Sequence, residues 1–283
     1  MVDRYEKVSN GTVKCKTCGN DYEEFYAMVL GHKIIYGGGI CKECNVKEQQ
    51  KREALEKLRR QQEIDRTRQE RKDNIGIPFH YRNTNFKSFQ LGIQDKALKI
   101  CFDYANEFPK DKRPRGYPSL YLWSTKSWGT GKTHLAVAIC HELLDRWNGD
   151  GYCFQPMFIS EPDLFRRIQA TYSYDYQEQR TKESESDIIK QIAEADLVVL
   201  DDVGKEPRTD MKFVRRTLFA IINARYDNDL PLIITANLDP VGLKEHLDEP
   251  PTEASFNRLF EMTGGKSTQM DGNSFRKRTS GNI

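Results

Sequence analysis

SLYLWSTKSWGTGKTHLA, Ser119–Ala136, holds the key to the chain. It opens as a short, mostly apolar strand, SLYLWS at Ser119–Ser124, and runs through a glycine-containing turn into residues Leu135 to Leu144, whose apolar spacing is helical. The phosphate-binding loop follows the pattern G-x-x-x-x-G-K-[ST], and its setting is a strand before and a helix after. Gly131, Lys132 and Thr133 fill the last three fixed positions, while the first holds Lys126 in place of glycine. Gly129, Thr130 and Gly131 let the backbone turn its N–H groups around a phosphate. Lys132 is placed to reach the β- and γ-phosphates and Thr133 to hold Mg²⁺, with His134 counted among the nucleotide-contacting residues. The following helix aims its positive N-terminus at the anion. A lysine at 126 is acceptable where φ is negative and costly where the loop needs a left-handed residue. The expectation is that nucleotide still binds.

Further apolar runs extend the reading. Met157–Ser160 (MFIS), Leu197–Leu200 (LVVL) and Leu232–Ala236 (LIITA) are strand candidates separated by helical stretches. Strands alternating with helices imply a parallel sheet covered on both faces, an α/β fold with ligands beyond the carboxyl ends of its strands. LVVL ends in Asp201-Asp202. Asp201 suits a water-mediated hold on Mg²⁺ and Asp202 a base or water-orienting carboxylate; a strand-end acidic cap is the plainer alternative. MFIS falls between the loop strand and LVVL, the ordering of P-loop ATPases with an additional strand. Asn237 ends LIITA, where an amide positions an attacking water, although asparagine is also a common turn residue.

The N-terminal part is different. Cys15-x2-Cys18 and Cys41-x2-Cys44 stand 22 residues apart, and Gly19 follows the first pair. Two such pairs place four thiolates around one Zn²⁺ in a structural, closed site, and in so short a segment the metal supplies much of the folding energy. Four unrelated reduced cysteines are the alternative. Val46–Asp73 contains no Pro or Gly and is rich in Lys, Arg, Glu and Gln, so it reads as a solvated helix, with interleaved acidic residues weighing against a nucleic-acid arm. The expected organisation is a zinc-binding domain at 1–45, a helical linker at 46–73 and the nucleotide-binding domain at 74–283.

With 283 residues, 37% hydrophobic and 30% charged, the chain has enough apolar material for a core beneath a charged surface. A net charge of +2 singles out no polyanionic partner, so any nucleic-acid contact rests on local patches. No apolar run reaches membrane-spanning length, the first residues lack the apolar stretch of a secretory signal, and seven cysteines, an odd number, argue against a disulfide framework. A cytoplasmic protein without a membrane partner is implied.

The chain resembles the bacterial DnaC/DnaI-type replicative helicase loaders, AAA+ ATPases close to the IstB-type transposition helpers. The resemblance covers most of 74–283 and rests on Gly-Ile-Pro at 76–78, GTGKTHLA at 129–136, SEPDLFRRIQATY at 160–172, LDDVG at 200–204, RRTLFAIINARYDNDLPLIITANL at 215–238 and NRLFEM at 257–262. A cysteine-rich module ahead of the ATPase is also similar to some members, where it engages the helicase. The resemblance implies an AAA+ core that uses ATP and Mg²⁺, a hexameric replicative helicase as partner, and single-stranded DNA. It implies that Arg258 is an arginine finger reaching a neighbouring subunit, hence self-association, and that Arg276 contacts nucleotide in cis. It points to Arg166, Arg167, Lys212, Arg215 and Arg216 for DNA backbone, with Tyr172, Tyr174 and Tyr176 for base stacking. Alternatives are an IstB-like transposition regulator and a zinc-bearing DNA-binding adaptor with a degenerate nucleotide site.

Overall fold

A computed structural model describes residues 6–92, 94–125, 128–173, 182–205 and 210–272. Lys126, Tyr174, Tyr176 and Arg276 lie outside the described residues. The chain divides into two compact units, Met1–Asp65 and Arg66–Ile283.

The smaller unit is an antiparallel sheet in the order β1 (Val8–Lys14), β2 (Asp21–Val29), β3 (His32–Ile35). Leu30 and Gly31 join β2 to β3 with φ of 51° and 81°, a two-residue turn whose twist matches the strands it connects. Its buried apolar residues, among those described, are Cys15, Ala27 and Ile64. So little apolar burial leaves the unit dependent on another source of stability. A helix, α1 (Lys42–Asn74), begins within the second cysteine pair and continues into the larger unit. Its exposed surface carries pairs four residues apart, Arg52–Glu48 at 2.9 Å and Arg66–Glu70 at 3.1 Å, each contributing a few tenths of a kcal/mol.

The larger unit is built on five parallel strands: β4 (Leu120–Trp123), β5 (Pro156–Ser160), β6 (Leu197–Val203), β7 (Leu232–Ala236) and β8 (Ser267–Gln269). Their spatial order is β5-β6-β7-β4-β8. β4, which precedes the phosphate-loop motif, and β6, which carries Asp201-Asp202, are therefore separated by β7, as the additional-strand ordering predicts, while β5 lies on the far side of β6. Successive strand residues face opposite sides, and two cores result. Leu120, Leu122, Val199 and Ile233 pack with α2 (Asp95–Glu107) and α3 (Lys132–Asp145) on one face. Tyr121, Val198, Leu200, Leu232 and Ile234 pack on the other, with α4 (Glu161–Thr171), α5 (Glu185–Glu194), α6 (Met211–Asp227), α7 (Pro240–Leu247) and α8 (Ala254–Thr263). Each fully buried aliphatic side chain contributes about 1.5–3 kcal/mol.

Helix starts follow their sequences. Ser160 caps α4, Asp210 caps α6 and Asp239 caps α7, each side chain accepting an N–H of the first turn. The short, polar β8 has no apolar run to announce it; it pairs with β4 at the sheet edge. Among the described residues, no helix is long and apolar enough to cross a membrane.

Candidate functional site

A cavity of about 1120 Å³ opens beyond the carboxyl ends of β4, β6 and β7. Residues Gly129–His134 form one wall, Asp201, Asp202 and Asn237 another, and Pro78, Tyr81 and Phe89 a third. Gly129 and Gly131 take φ of 73° and 95°, left-handed values open to glycine, so the turn folds back on itself before α3 begins. Trp128, which precedes them, lines the cavity and is 76% exposed.

Lys132 is buried in the first turn of α3. Its Nζ donates to Ser124 Oγ at 2.6 Å and to Asn237 Oδ1 at 2.9 Å, so the end of β4 and the end of β7 meet on one ammonium group. Burial lowers its pKa, opposed by the charges of Asp202 and Asp201. Thr133 Oγ1 donates to Asp201 Oδ1 at 2.9 Å, and Thr235 Oγ1 donates to the same oxygen at 2.6 Å. Burial pushes the Asp201 carboxyl up to about 6, with the Asp202 charge adding to the effect. Hard oxygens brought together in this way, with a carboxylate reluctant to carry its charge alone, suit Mg²⁺.

Strand alternation would send Asp201 and Asp202 to opposite faces. Both line the cavity because β6 gains one residue against β7 here: Leu200 pairs with Ile234 and Val203 with Ala236. Asp202 takes a φ of 59°, its N–H donating to Thr235 Oγ1 at 3.0 Å, and its carboxylate pairs with Lys205. Such a bulge re-aims a side chain at a functional edge.

His134 lines the cavity, but its imidazole is engaged elsewhere. Nε2 lies 3.2 Å from both Asn85 O and Ser88 Oγ, and the ring meets Phe89 edge-on at 5.3 Å. The side chain thus secures the segment that forms the third wall. Arg258 sits on α8 away from the cavity lining, its guanidinium 5.4 Å from the Phe219 ring centroid and 5.8 Å from that of Tyr226, with Nη1 buried and without a hydrogen-bond partner.

Of the other cationic residues, Arg166 pairs with Asp163, Arg167 with Glu183 and Arg216 with Glu185. Arg215 donates to Glu245 O at 2.8 Å. Lys212, Tyr172 and Arg216 line a hollow of about 440 Å³ with Phe213, and Tyr172 Oη also donates to Glu185. Sequence reasoning missed Ser124, Thr235 and Lys205. Ser124 and Thr235 are polar positions at the ligand ends of apolar strands, which is the signal that could have found them.

In the smaller unit the ligand atoms of Cys15, Cys18, Cys41 and Cys44 lie within 4.8 Å of one another. The Sγ atoms of Cys18 and Cys41 are 3.8 Å apart. Four sulfurs about 2.3 Å from one Zn²⁺ at tetrahedral corners stand about 3.8 Å apart. Gly19 takes a φ of 75°, and the Cys41 N–H donates to Cys15 Sγ at 3.3 Å. Backbone N–H groups, that of Cys41 foremost, hold the Cys15 thiol down to about 6. Cys44, hydrogen-bonded to Cys18 and Cys41, is pushed up to about 12. Thiolates this crowded resist ionising together, and a bound cation removes that conflict.

The fold agrees with comparisons to known proteins. The replicative helicase loader DnaC of Escherichia coli (strain K12) is 26% identical over 198 residues, which cover 69% of this chain and 71% of that protein. The replicative helicase loader DnaI of Bacillus subtilis (strain 168) is 24% identical over 240 residues, covering 82% and 67% respectively. The crystal structure of the DnaC helicase loader shares the fold, with a TM-score of 0.51 at 23% identity over 69% of this chain and 100% of that one. The family described as IstB-like ATP binding protein matches residues 124–282, more than half of the 283 residues, and the chain belongs to that family.

Proposed function

We propose that this chain is a cytoplasmic, Mg²⁺-dependent ATPase that loads a hexameric replicative helicase onto single-stranded DNA. The observation that supports it best is the convergence of Lys132, the Thr133–Asp201 pair, Asp202 and Asn237 on one cavity, in a chain whose relatives are named replicative helicase loaders. Gly129–Gly131 and Lys132 bind the phosphates, and Thr133 with Asp201 would hold Mg²⁺, which would neutralise developing phosphate charge. Asp202 accepts the proton of the attacking water once its carboxylate leaves Lys205, and Asn237 orients that water. Arg258 reaches a neighbouring subunit's nucleotide once its guanidinium leaves the Phe219 and Tyr226 rings, and Arg276 acts in cis. The four cysteines hold Zn²⁺ and stabilise residues 1–45 as the helicase-facing domain, with 46–73 as linker and 74–283 as the ATPase domain.

ATP turnover measured with and without single-stranded DNA tests this reading. Lys132→Ala is expected to abolish nucleotide binding. Asp202→Asn is expected to keep it within twofold while lowering turnover by about 100-fold or more. Dilution and Arg258→Ala both lower turnover but not binding; a fully active monomer overturns the trans role. Co-purification separates the second reading, which the family match favours: a transposase as partner in place of a helicase marks a transposition regulator.

A further inference from the structure

Glu161 is the first residue of α4 and is fully buried, at 0% exposure. A carboxylate so placed requires donors, because leaving one buried acceptor unpaired is costly. It has two. Oε2 accepts the Gly204 N–H at 2.7 Å, and Oε1 lies 2.6 Å from Nε2 of His246 on α7.

Each donor leads to a residue of the proposed chemistry. Gly204 lies two residues beyond Asp202 and takes a φ of 87°. A Cβ there would meet Leu238 Cδ1 at 2.5 Å, so the turn also abuts the residue that follows Asn237. On the other side, His246 is followed at the end of α7 by Asp248. The Asp248 carboxylate accepts the N–H groups of Ser255 at 3.0 Å and Phe256 at 2.8 Å, in the first turn of α8. Arg258 stands two residues further along that helix.

We infer that Glu161 is a positioning residue that ties the Asp202 turn and the α7–α8 corner bearing Arg258 to one buried carboxylate, so that the two shift together. The inference rests on the reading that Asp202 and Arg258 serve ATP hydrolysis, but the linkage itself is measurable without turnover. The turn cannot move without withdrawing a donor from Glu161, and the lost bond falls on His246 and the helix behind it. A physical network of this kind is established by coupling between substitutions.

The test uses the full chain and four proteins: the parent, Glu161→Ala, His246→Leu and His246→Gln. Alanine at 161 removes both acceptors, and leucine at 246 removes one donor from the buried carboxylate. Glutamine at 246 keeps an amide N–H that can donate to Glu161, so it is the conservative rescue. Hydrogen–deuterium exchange is followed over residues 200–205 and 254–260, with the α3 segment 135–144 as reference, in the absence and presence of Mg²⁺ and a non-hydrolysable ATP analogue. Glu161→Ala and His246→Leu should each accelerate exchange in both segments by about tenfold without changing α3, and His246→Gln should stay near the parent. The analogue should protect both segments in the parent and only 200–205 in Glu161→Ala and His246→Leu.

Turnover should fall about tenfold in Glu161→Ala and His246→Leu with KM for Mg²⁺-ATP within twofold. Acceleration of one segment alone, equal acceleration of α3, or acceleration in His246→Gln equal to that in His246→Leu overturns the inference. His246→Leu decides the matter from the other side should Glu161→Ala fail to fold. A parent that turns over no ATP counts against the proposed function and leaves the exchange result to judge the linkage.

Discussion

Lys132 and His141, nine residues apart on α3, show how burial makes a charge conditional. Lys132 keeps Asp201 and Asp202 nearby, so its ammonium is disfavoured by burial yet retained by its neighbours. His141 has less support. It is 4% exposed, its Nδ1 lies 2.6 Å from Thr84 O, and its Nε2 is buried without a partner. Burial lowers its pKa below the ordinary 6.5; the Thr84 carbonyl opposes this, Lys72 adds to the lowering and Asp145 opposes it. A histidine whose folded pKa is depressed binds its proton more readily in the unfolded chain. Its contribution is therefore complete above about pH 6.5 and is lost as pH falls through that value toward the folded pKa. Unfolding free energy measured from pH 8 down to pH 5 should decline, and His141→Gln should flatten that slope. An unchanged slope would show that other groups carry it.

At the scale of elements, the sheet rests on one arginine as much as on its apolar strands. Arg225 of α6 is fully buried and donates to the carbonyls of Ile192, Ala195, Asp196 and Pro231, closing the end of α5 and the approach to β7. Burial holds its pKa down to about 9. Arg225→Met fills similar space but strands those carbonyls, with an expected loss of about 3 kcal/mol or more by denaturant titration, against less than 1 kcal/mol for exposed Arg52→Met.

The α5–β6–α6–β7 region also shows what a sequence discloses. LVVL and LIITA are continuous apolar runs because they are buried on both faces, so they could be located by eye, as could the phosphate loop between SLYLWS and a helical pattern. The extra residue of β6 could not, because a bulge depends on what lies opposite: Asp201-Asp202 reads as a pair whether or not both face the cavity. His134 follows Thr133 and lines the same cavity. Its contacts with Asn85 and Ser88 lie almost fifty residues back in the chain, beyond any local pattern. β8 and Glu161 escaped for related reasons, one being three polar residues whose strand state is imposed by β4, the other an ordinary helix-start acid until His246 arrives.

For the whole molecule, the two units derive stability from different sources. Residues Arg66–Ile283 have two apolar cores flanking a sheet, whereas Met1–Asp65 gather four sulfurs over a scant apolar interior. Chelation of zinc should therefore remove the lower of two calorimetric transitions and leave the upper within about 2 °C, and a single transition lost as a whole would show that the units melt together. Trp128 supplies a different opportunity. The chain has three tryptophans, and this one stands 76% exposed on the wall of the cavity, immediately before Gly129. Indole emission is sensitive to the polarity of its surroundings, so the molecule carries its own optical gauge of cavity filling. Titration with Mg²⁺ and ATP should change the intensity or wavelength of intrinsic fluorescence in the parent. Trp128→Phe should silence that signal while leaving calorimetric affinity in place, allowing nucleotide arrival to be timed on an unlabelled protein.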